Sequence, residues 1–220
     1  AATGPLVLFN GAMVWDMADR RPLHKRPLAM ADALATIEIA LAEAVHVNTY
    51  VDDEIWIART TATSRRSEVK DGVRHRLVGD LVGQLRAGAK PPIKLMLIDE
   101  DRGVTRLIDS IRAALSDEYT LVNSEPAYLE LMAPGVDKGS ALTAVHEHCG
   151  IAPADIIAFG DQLNDVELIQ RSGLGVAMGN AHTIVQQAAD VVIGPNTEDS
   201  IARFLRDRFE LRDGCLVVHT

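Results

Sequence analysis

Two carboxylates and an amide stand close together in Gly160-Asp161-Gln162-Leu163-Asn164-Asp165. The stretch follows the apolar run Ile156-Ile157-Ala158-Phe159 and precedes the helix-like run Val166-Glu167-Leu168-Ile169. It is therefore read as the turn leaving a buried strand, and ligands of open α/β sheets sit just beyond the carboxyl ends of strands. Asp161 and Asp165 on such a loop suit a hard cation such as Mg²⁺, which favours oxygen ligands and works with phosphate. The same hexapeptide also fits a plain strand-to-helix turn with Asn and Asp as cap residues. Upstream, Lys138 stands at the start of a predicted helix. Its ammonium and the helix N–H groups would both favour an anion such as phosphate. Downstream, Gly173, Gly175 and Gly179 let backbones approach closely.

The elements around these residues alternate. After Pro134-Gly135 the pattern predicts helices over 139–149, 166–171, 181–188 and 199–209, with short strands at 156–159, 175–178 and 191–193 between them. That rhythm implies βαβ units and a parallel sheet. Upstream, 6–9 reads as a buried strand ending at Asn10-Gly11, and 13–17 as a second short strand. Leu34, Ile37, Leu41 and Val45 share one face of a helix predicted over 28–45. Residues 45–51 and 55–60 flank Asp52-Asp53-Glu54 as a β-hairpin. Within the polar stretch 61–91, Leu77, Leu81 and Leu85 suggest a helix across part of it. Strands at 93–98 and 119–122 and a helix over 104–115 complete a separate α+β layer, and 128–132 reads as a further strand. The fold class is thus α/β, a Rossmann-like parallel-sheet core with an inserted α+β cap. The expected boundaries are a discontinuous core at 1–24 and 128–220 and a cap at 25–127.

With 220 residues, 47% of them hydrophobic, the chain can bury a sizeable core. A net charge of −9 argues against general binding to nucleic acid or anionic membranes. No apolar run approaches the ~18 residues of a membrane span, and no signal peptide is visible. Cys149 and Cys215 have no metal-ligand spacing and read as free thiols in a reducing compartment. A cytoplasmic protein is expected. The sequence assigns no oligomeric state.

The segment from Glu130 to Leu205 resembles the C-terminal core of the haloacid-dehalogenase-like (HAD) hydrolase superfamily, and within it the Cof-type sugar-phosphate phosphatases with a large α/β cap. The resemblance rests on Leu131-Met132-Ala133-Pro134-Gly135-Val136-Asp137-Lys138-Gly139, on Phe159 to Asp165, on Val176-Ala177-Met178-Gly179-Asn180-Ala181 and on Asn196-Thr197-Glu198-Asp199. Asn10-Gly11-Ala12 also resembles the Asn-Gly-Ala that precedes the cap in that group. The resemblance implies a Mg²⁺-dependent phosphatase acting on a small phosphorylated substrate through an aspartyl-phosphate. It makes Asp161 a Mg²⁺ ligand, with Asp165 supporting the metal or orienting the loop. Asn164 would contact phosphate, Asn10 is carried as a phosphate-binding candidate, and Lys138 would offset charge on the phosphate and the nucleophile.

The family's first motif, an apolar strand followed by Asp-x-Asp-Gly-Thr, does not occur at the expected place before Asn10. The nucleophile, the acid/base and the Ser/Thr of the second motif are therefore expected outside these 220 residues. The alternative is an inactive relative with a binding or regulatory role. Ile98-Asp99-Glu100-Asp101 mimics the missing motif. The interval to Lys138 is too short for the second motif, so that run reads as a cap strand and turn. His146 and His148 point to different helix faces and do not suggest a metal pair. Arg65, Arg66, Lys70, Arg74 and Arg76 form a basic stretch expected on a solvated helix face.

Overall fold

The computed structural model describes residues 4–116, 118–212 and 215–218. The chain divides into two compact units, residues 1–136 and 137–220. The first begins with three antiparallel strands in the order β1-β2-β3: β1 (Leu6–Leu8), β2 (Met13–Asp16) and β3 (Arg21–Lys25). The expected strand at 6–9 forms, but Leu6, Val7 and Leu8 are exposed, because β1 is an edge strand paired with β2 alone.

The rest of the first unit comprises α1 (Met30–Ala42), β4 (His46–Val51), β5 (Glu54–Ile57), α2 (Ala62–Asp71), β6 (His75–Leu77) and α3 (Leu81–Arg86), followed by β7 (Lys94–Ile98), α4 (Ile108–Ala114), β8 (Thr120–Glu125) and β9 (Tyr128–Met132). Its six strands run in the order β6-β5-β4-β7-β9-β8. The hairpin between β4 and β5 is present, turning at Asp52, whose φ is +52°. Of the helix expected across part of 61–91, Leu81 and Leu85 lie on α3, but Leu77 lies on β6, and α2 precedes both. Local caps separate them: Thr61 and Ser64 form a capping box, left-handed Gly72 closes α2, and the Asp80 side chain accepts from Gly83 N to start α3.

Side chains alternate across these strands. Val47, Leu95, Leu97, Leu129 and Leu131 join Ala33, Ile37 and Ala40 of α1, Leu81 and Leu85 of α3 and Ile111 of α4 in one core. The neighbouring positions Asn48, Tyr50, Lys94 and Glu130 fall on the other side, where Asn48 donates to Ser67 of α2 at 2.8 Å. β9 lies between β7 and β8 in this sheet, although the sequence reading groups 128–132 with the core. Its alternation of Leu129 and Leu131 with Glu130 suits a sheet that is apolar on one side only.

The second unit holds α5 (Ser140–Cys149), β10 (Ile157–Gly160), α6 (Val166–Arg171), β11 (Leu174–Ala177), α7 (Thr183–Ala188), β12 (Val191–Val192) and α8 (Ser200–Arg208), then a hairpin of β13 (Phe209–Arg212) and β14 (Cys215–Val218). β10, β11 and β12 form the expected parallel sheet. Ile169, Ala177, Met178 and Val185 make its core. Cys149 is free and exposed, whereas the side chain of Cys215 lies outside the described residues. Among the described residues no helix is long and apolar enough to cross a membrane.

Asp32, buried in the first turn of α1, ties that helix to the segment before β8. It accepts from Ser116 N at 3.0 Å, Ser116 Oγ at 2.6 Å and Tyr119 Oη at 2.6 Å. Burial pushes its pKa up, but the Ser116 and Tyr119 hydrogen bonds outweigh that and hold it below the usual carboxylate range. Asp32→Ala should lower the unfolding free energy by about 2–4 kcal/mol at neutral pH, measured by urea denaturation. Because the folded pKa is depressed, the contribution is present above the unfolded value of about 3.9 and is lost as pH falls through the folded value. The gap between variant and wild type should narrow in that acid window.

Candidate metal and phosphate site

The site in the second unit is built on the carboxyl end of β10. Gly160 ends that strand, and a Cβ there would lie 2.5 Å from Asp165 Cβ. Glycine is needed because the Asp165 side chain folds back over it. Residues Leu163–Asp165 form a single 3₁₀ turn leading into α6. Asp165 Oδ2 accepts from both Asp161 N and Gln162 N at 3.0 Å. Its Oδ1 receives Lys138 Nζ at 2.5 Å. Both oxygens are thus committed, one to the loop backbone and one to the lysine.

Lys138 is placed by the turn before α5. Asp137 Oδ1 accepts from Ser140 N at 2.6 Å, and Ser140 Oγ in turn accepts from Asp137 N at 3.1 Å. Arg171 of α6 pairs with Asp137 at 3.5 Å. The Lys138 side chain remains 31% exposed, so its ammonium is open to a ligand while bonded to Asp165. Burial would raise the pKa of Asp165. The Lys138 hydrogen bond and the N–H groups of Gln162 and Asp161 outweigh it and hold the carboxyl below its usual range.

Asp161 is differently placed. Its backbone is fixed by Asp165 and by His182 N, which donates to Asp161 O at 3.1 Å. Its carboxylate is only partly buried, and Asn180 Nδ2 approaches Oδ2 at the long distance of 3.5 Å. The Asp161 carboxylate is therefore the less committed of the two, and the Asp165 carboxylate ties the loop backbone to Lys138. Asn164 sits half-buried in the same turn. Asn180 was not singled out from the sequence as a site residue. It lies in the turn after β11, where Met178 N donates to Gly160 O at 3.0 Å and Asn196 N donates to Asn180 Oδ1 at 2.7 Å. The signal for it was its place in the glycine-rich run beside Gly179, whose added Cβ would meet Ile193 O at 2.8 Å. Among the described residues no group of three or more His, Cys, Asp or Glu side chains is arranged to hold a metal, so Asp161 and Asp165 are at most part of a donor set.

The structure brings Lys138, Asp161, Asn164 and Asp165 into one unit, while Asn10 belongs to the other. There Asn10 Nδ2 donates to Glu130 Oε2 at 3.1 Å. The Asp99 carboxylate is also in the first unit, at the end of β7. It accepts from Asp101 N and Arg102 N and pairs with Arg106 at 2.9 Å. It is a turn-capping carboxylate rather than a free nucleophile. The basic stretch is largely engaged as well: Arg66 pairs with Glu100, Lys70 lies over the Tyr128 ring, and Arg76 pairs with Glu54 over Trp56.

Residues 1–205 match the family of haloacid dehalogenase-like hydrolases, and the chain belongs to that family. It is 38% identical over 109 residues to the 5-amino-6-(5-phospho-D-ribitylamino)uracil phosphatase YcsE of Bacillus subtilis, an alignment covering 50% of this chain and 43% of that protein. A second relative, the 5-amino-6-(5-phospho-D-ribitylamino)uracil phosphatase YitU of the same organism, is 30% identical over 222 residues, covering 95% of this chain and 77% of its own length. Among solved structures, a haloacid dehalogenase-like hydrolase from Bacteroides thetaiotaomicron superposes with a TM-score of 0.79 at 25% identity, covering 93% of this chain and 76% of that one.

Removing the carboxylate that holds the loop should loosen it. Asp165→Asn is expected to lower stability by about 2–3 kcal/mol at pH 7, because it weakens a charge-assisted bond and leaves Lys138 without its counter-ion. The depressed pKa means that this contribution exists above the unfolded carboxylate value and fades as pH falls through the folded one. Amide hydrogen exchange at Asp161 and Gln162 should quicken in the variant, and wild type should approach it only in acid.

Proposed function

We propose that this chain acts in a Mg²⁺-dependent phosphatase that hydrolyses small phosphomonoesters, sugar phosphates among them. The observation that carries the reading is the division of labour between the two loop carboxylates. Asp165 is engaged by two backbone N–H groups and Lys138, whereas the Asp161 carboxylate has a long contact to Asn180 at 3.5 Å. An oxygen donor fixed from behind on a strand-end loop fits a hard cation. A bound Mg²⁺ would offset charge on a phosphoryl group and orient it.

The chain's own residues divide the remaining work. Lys138 places a cation at the loop without a mobile counter-ion, so its charge is ready for phosphate oxygens when one arrives. Asn164 offers an amide to the same oxygens. Asp165 keeps both Lys138 and Asp161 in place and touches no substrate. Preorganised charge of this kind is the main resource of phosphoryl transfer. The first unit serves as the cap that selects the leaving group. The names of the two Bacillus relatives put a phosphate ester of a ribitylaminouracil among the substrates to try. A reducing cytoplasm suits the exposed thiol of Cys149.

An assay with p-nitrophenyl phosphate and Mg²⁺ tests this. A version extended upstream should turn over, and the 220-residue chain should not. In the extended version Asp161→Ala should lower kcat/KM by at least a hundredfold, about 3 kcal/mol of transition-state stabilisation. Turnover that survives Asp161→Ala contradicts the metal assignment. Turnover by the 220-residue chain that Asp99→Asn abolishes would move the nucleophile to β7.

A further inference from the structure

The first unit contains a groove of about 680 Å³ that the phosphate chemistry leaves unused. Met13 and Trp15 stand two positions apart on β2, hence on one face, and Trp15 pairs across the sheet with Pro22 of β3. Phe9 forms a further wall and also lines a smaller cavity of about 210 Å³ beside Tyr50. The polar part of the groove is Lys25 and Lys90, both paired with Asp52 at 3.5 and 3.2 Å, and Asp53 next to it. Two lysines and two aspartates leave this lining without net charge.

Phe9 is held in place against a conformational penalty. Phe9 and Asn10 both have φ of +52°, and Gly11 follows at +101°. Two non-glycine residues in the left-handed region cost about 1–3 kcal/mol each. A network fastens the turn. Asn10 Nδ2 donates to Glu130 Oε2 at 3.1 Å, and Lys94 Nζ pairs with the same oxygen at 3.1 Å. The Lys94 ammonium lies 4.6 Å from the centre of the Tyr50 ring and 5.8 Å from that of Phe9. The Phe9 ring meets Tyr50 edge-on at 5.6 Å. The side chains of Lys94 and Glu130 are only 10% and 13% exposed. A largely buried ion pair is a poor source of net stability. A fixed aromatic wall beside an open groove is what a stacking site requires.

We propose that this groove binds a planar, uncharged N-heterocycle, its face against the aromatic lining that Phe9 and Trp15 supply, with its N–H groups toward the aspartates and its carbonyls toward Lys25 and Lys90. An isolated phosphate fits poorly, because Asp52 and Asp53 balance the charge of the two lysines and leave no net positive field for a dianion. A polyol fits poorly, because Phe9, Met13 and Trp15 would leave its hydroxyls without hydrogen bonds. A ring with polar edges and apolar faces matches both parts of the lining. The inference stands on the groove alone and does not require phosphatase activity.

Saturation-transfer difference NMR on the 220-residue protein tests it with uridine, D-ribose and inorganic phosphate as probes, and it needs no turnover. Millimolar uridine should show saturation at its ring protons H5 and H6, with ribose showing none and phosphate failing to compete. Trp15→Ala should weaken uridine binding roughly three- to tenfold, the size of one aromatic contact. Lys90→Met, at a side chain 72% exposed, should weaken it with no effect on the fold, and it decides the matter if Trp15→Ala does not fold. Absence of ring saturation, equal saturation of ribose, competition by phosphate, or uridine signals unchanged in Lys90→Met would each overturn the proposal.

Discussion

The second unit depends on how the Asp165 carboxylate is shared. One oxygen gathers two consecutive backbone N–H groups and so fixes the path of the chain from β10 into α6. The other holds Lys138 across the start of α5. A buried carboxylate without those donors would be driven toward its neutral form. With them it stays charged, and its charge in turn keeps the lysine at the loop. Gly160 is part of the same arrangement, since any side chain there would occupy the space of Asp165. The loop path, the place of Lys138 and the need for glycine at 160 thus follow from where one side chain sits.

The first unit follows a different logic. Its six-stranded sheet is apolar toward α1, α3 and α4 and polar on the other side. Charges of this unit are used in pairs: Lys94 with Glu130, Arg66 with Glu100, Arg76 with Glu54. Only the first of these is largely buried, and it is the one tied to a strained turn. Exposed pairs contribute little, so the surface ion pairs of this unit are not what orders it. The core beneath the sheet does that, with Asp32 as its polar anchor.

Much of this was legible in the residues, for physical reasons that differ by region. The parallel sheet of the second unit was readable because short apolar runs and helical runs alternate with Gly and polar loops between them. The acidic loop was readable as the turn from β10 into α6 because an apolar run precedes it and a helical run follows, although the hexapeptide alone fits a capped turn as well as a metal loop. Element boundaries failed where tertiary partners decide. The span 61–91 lacks a strong period, and the caps at Thr61, Gly72 and Asp80 break it into three elements. Burial of Leu6–Leu8 depends on which strands flank β1, which their own composition does not state. The strand at 128–132 has the same composition whichever sheet it joins. The different duties of Asp161 and Asp165 rest on which oxygen faces which donor, and the bond from Asn10 to Glu130 spans 120 positions.

The central claim is that Asp161 is the cation-facing carboxylate and Asp165 the one that holds it. Paramagnetic Mn²⁺, which shares the oxygen preference of Mg²⁺, reports this directly through broadening of backbone amides in an isotopically labelled chain. The account predicts that submillimolar to millimolar Mn²⁺ first broadens Asp161, Gln162 and Asn180, and that Asp161→Asn removes the effect while the fold persists. Broadening that leaves this loop untouched, or that persists in Asp161→Asn, would contradict it.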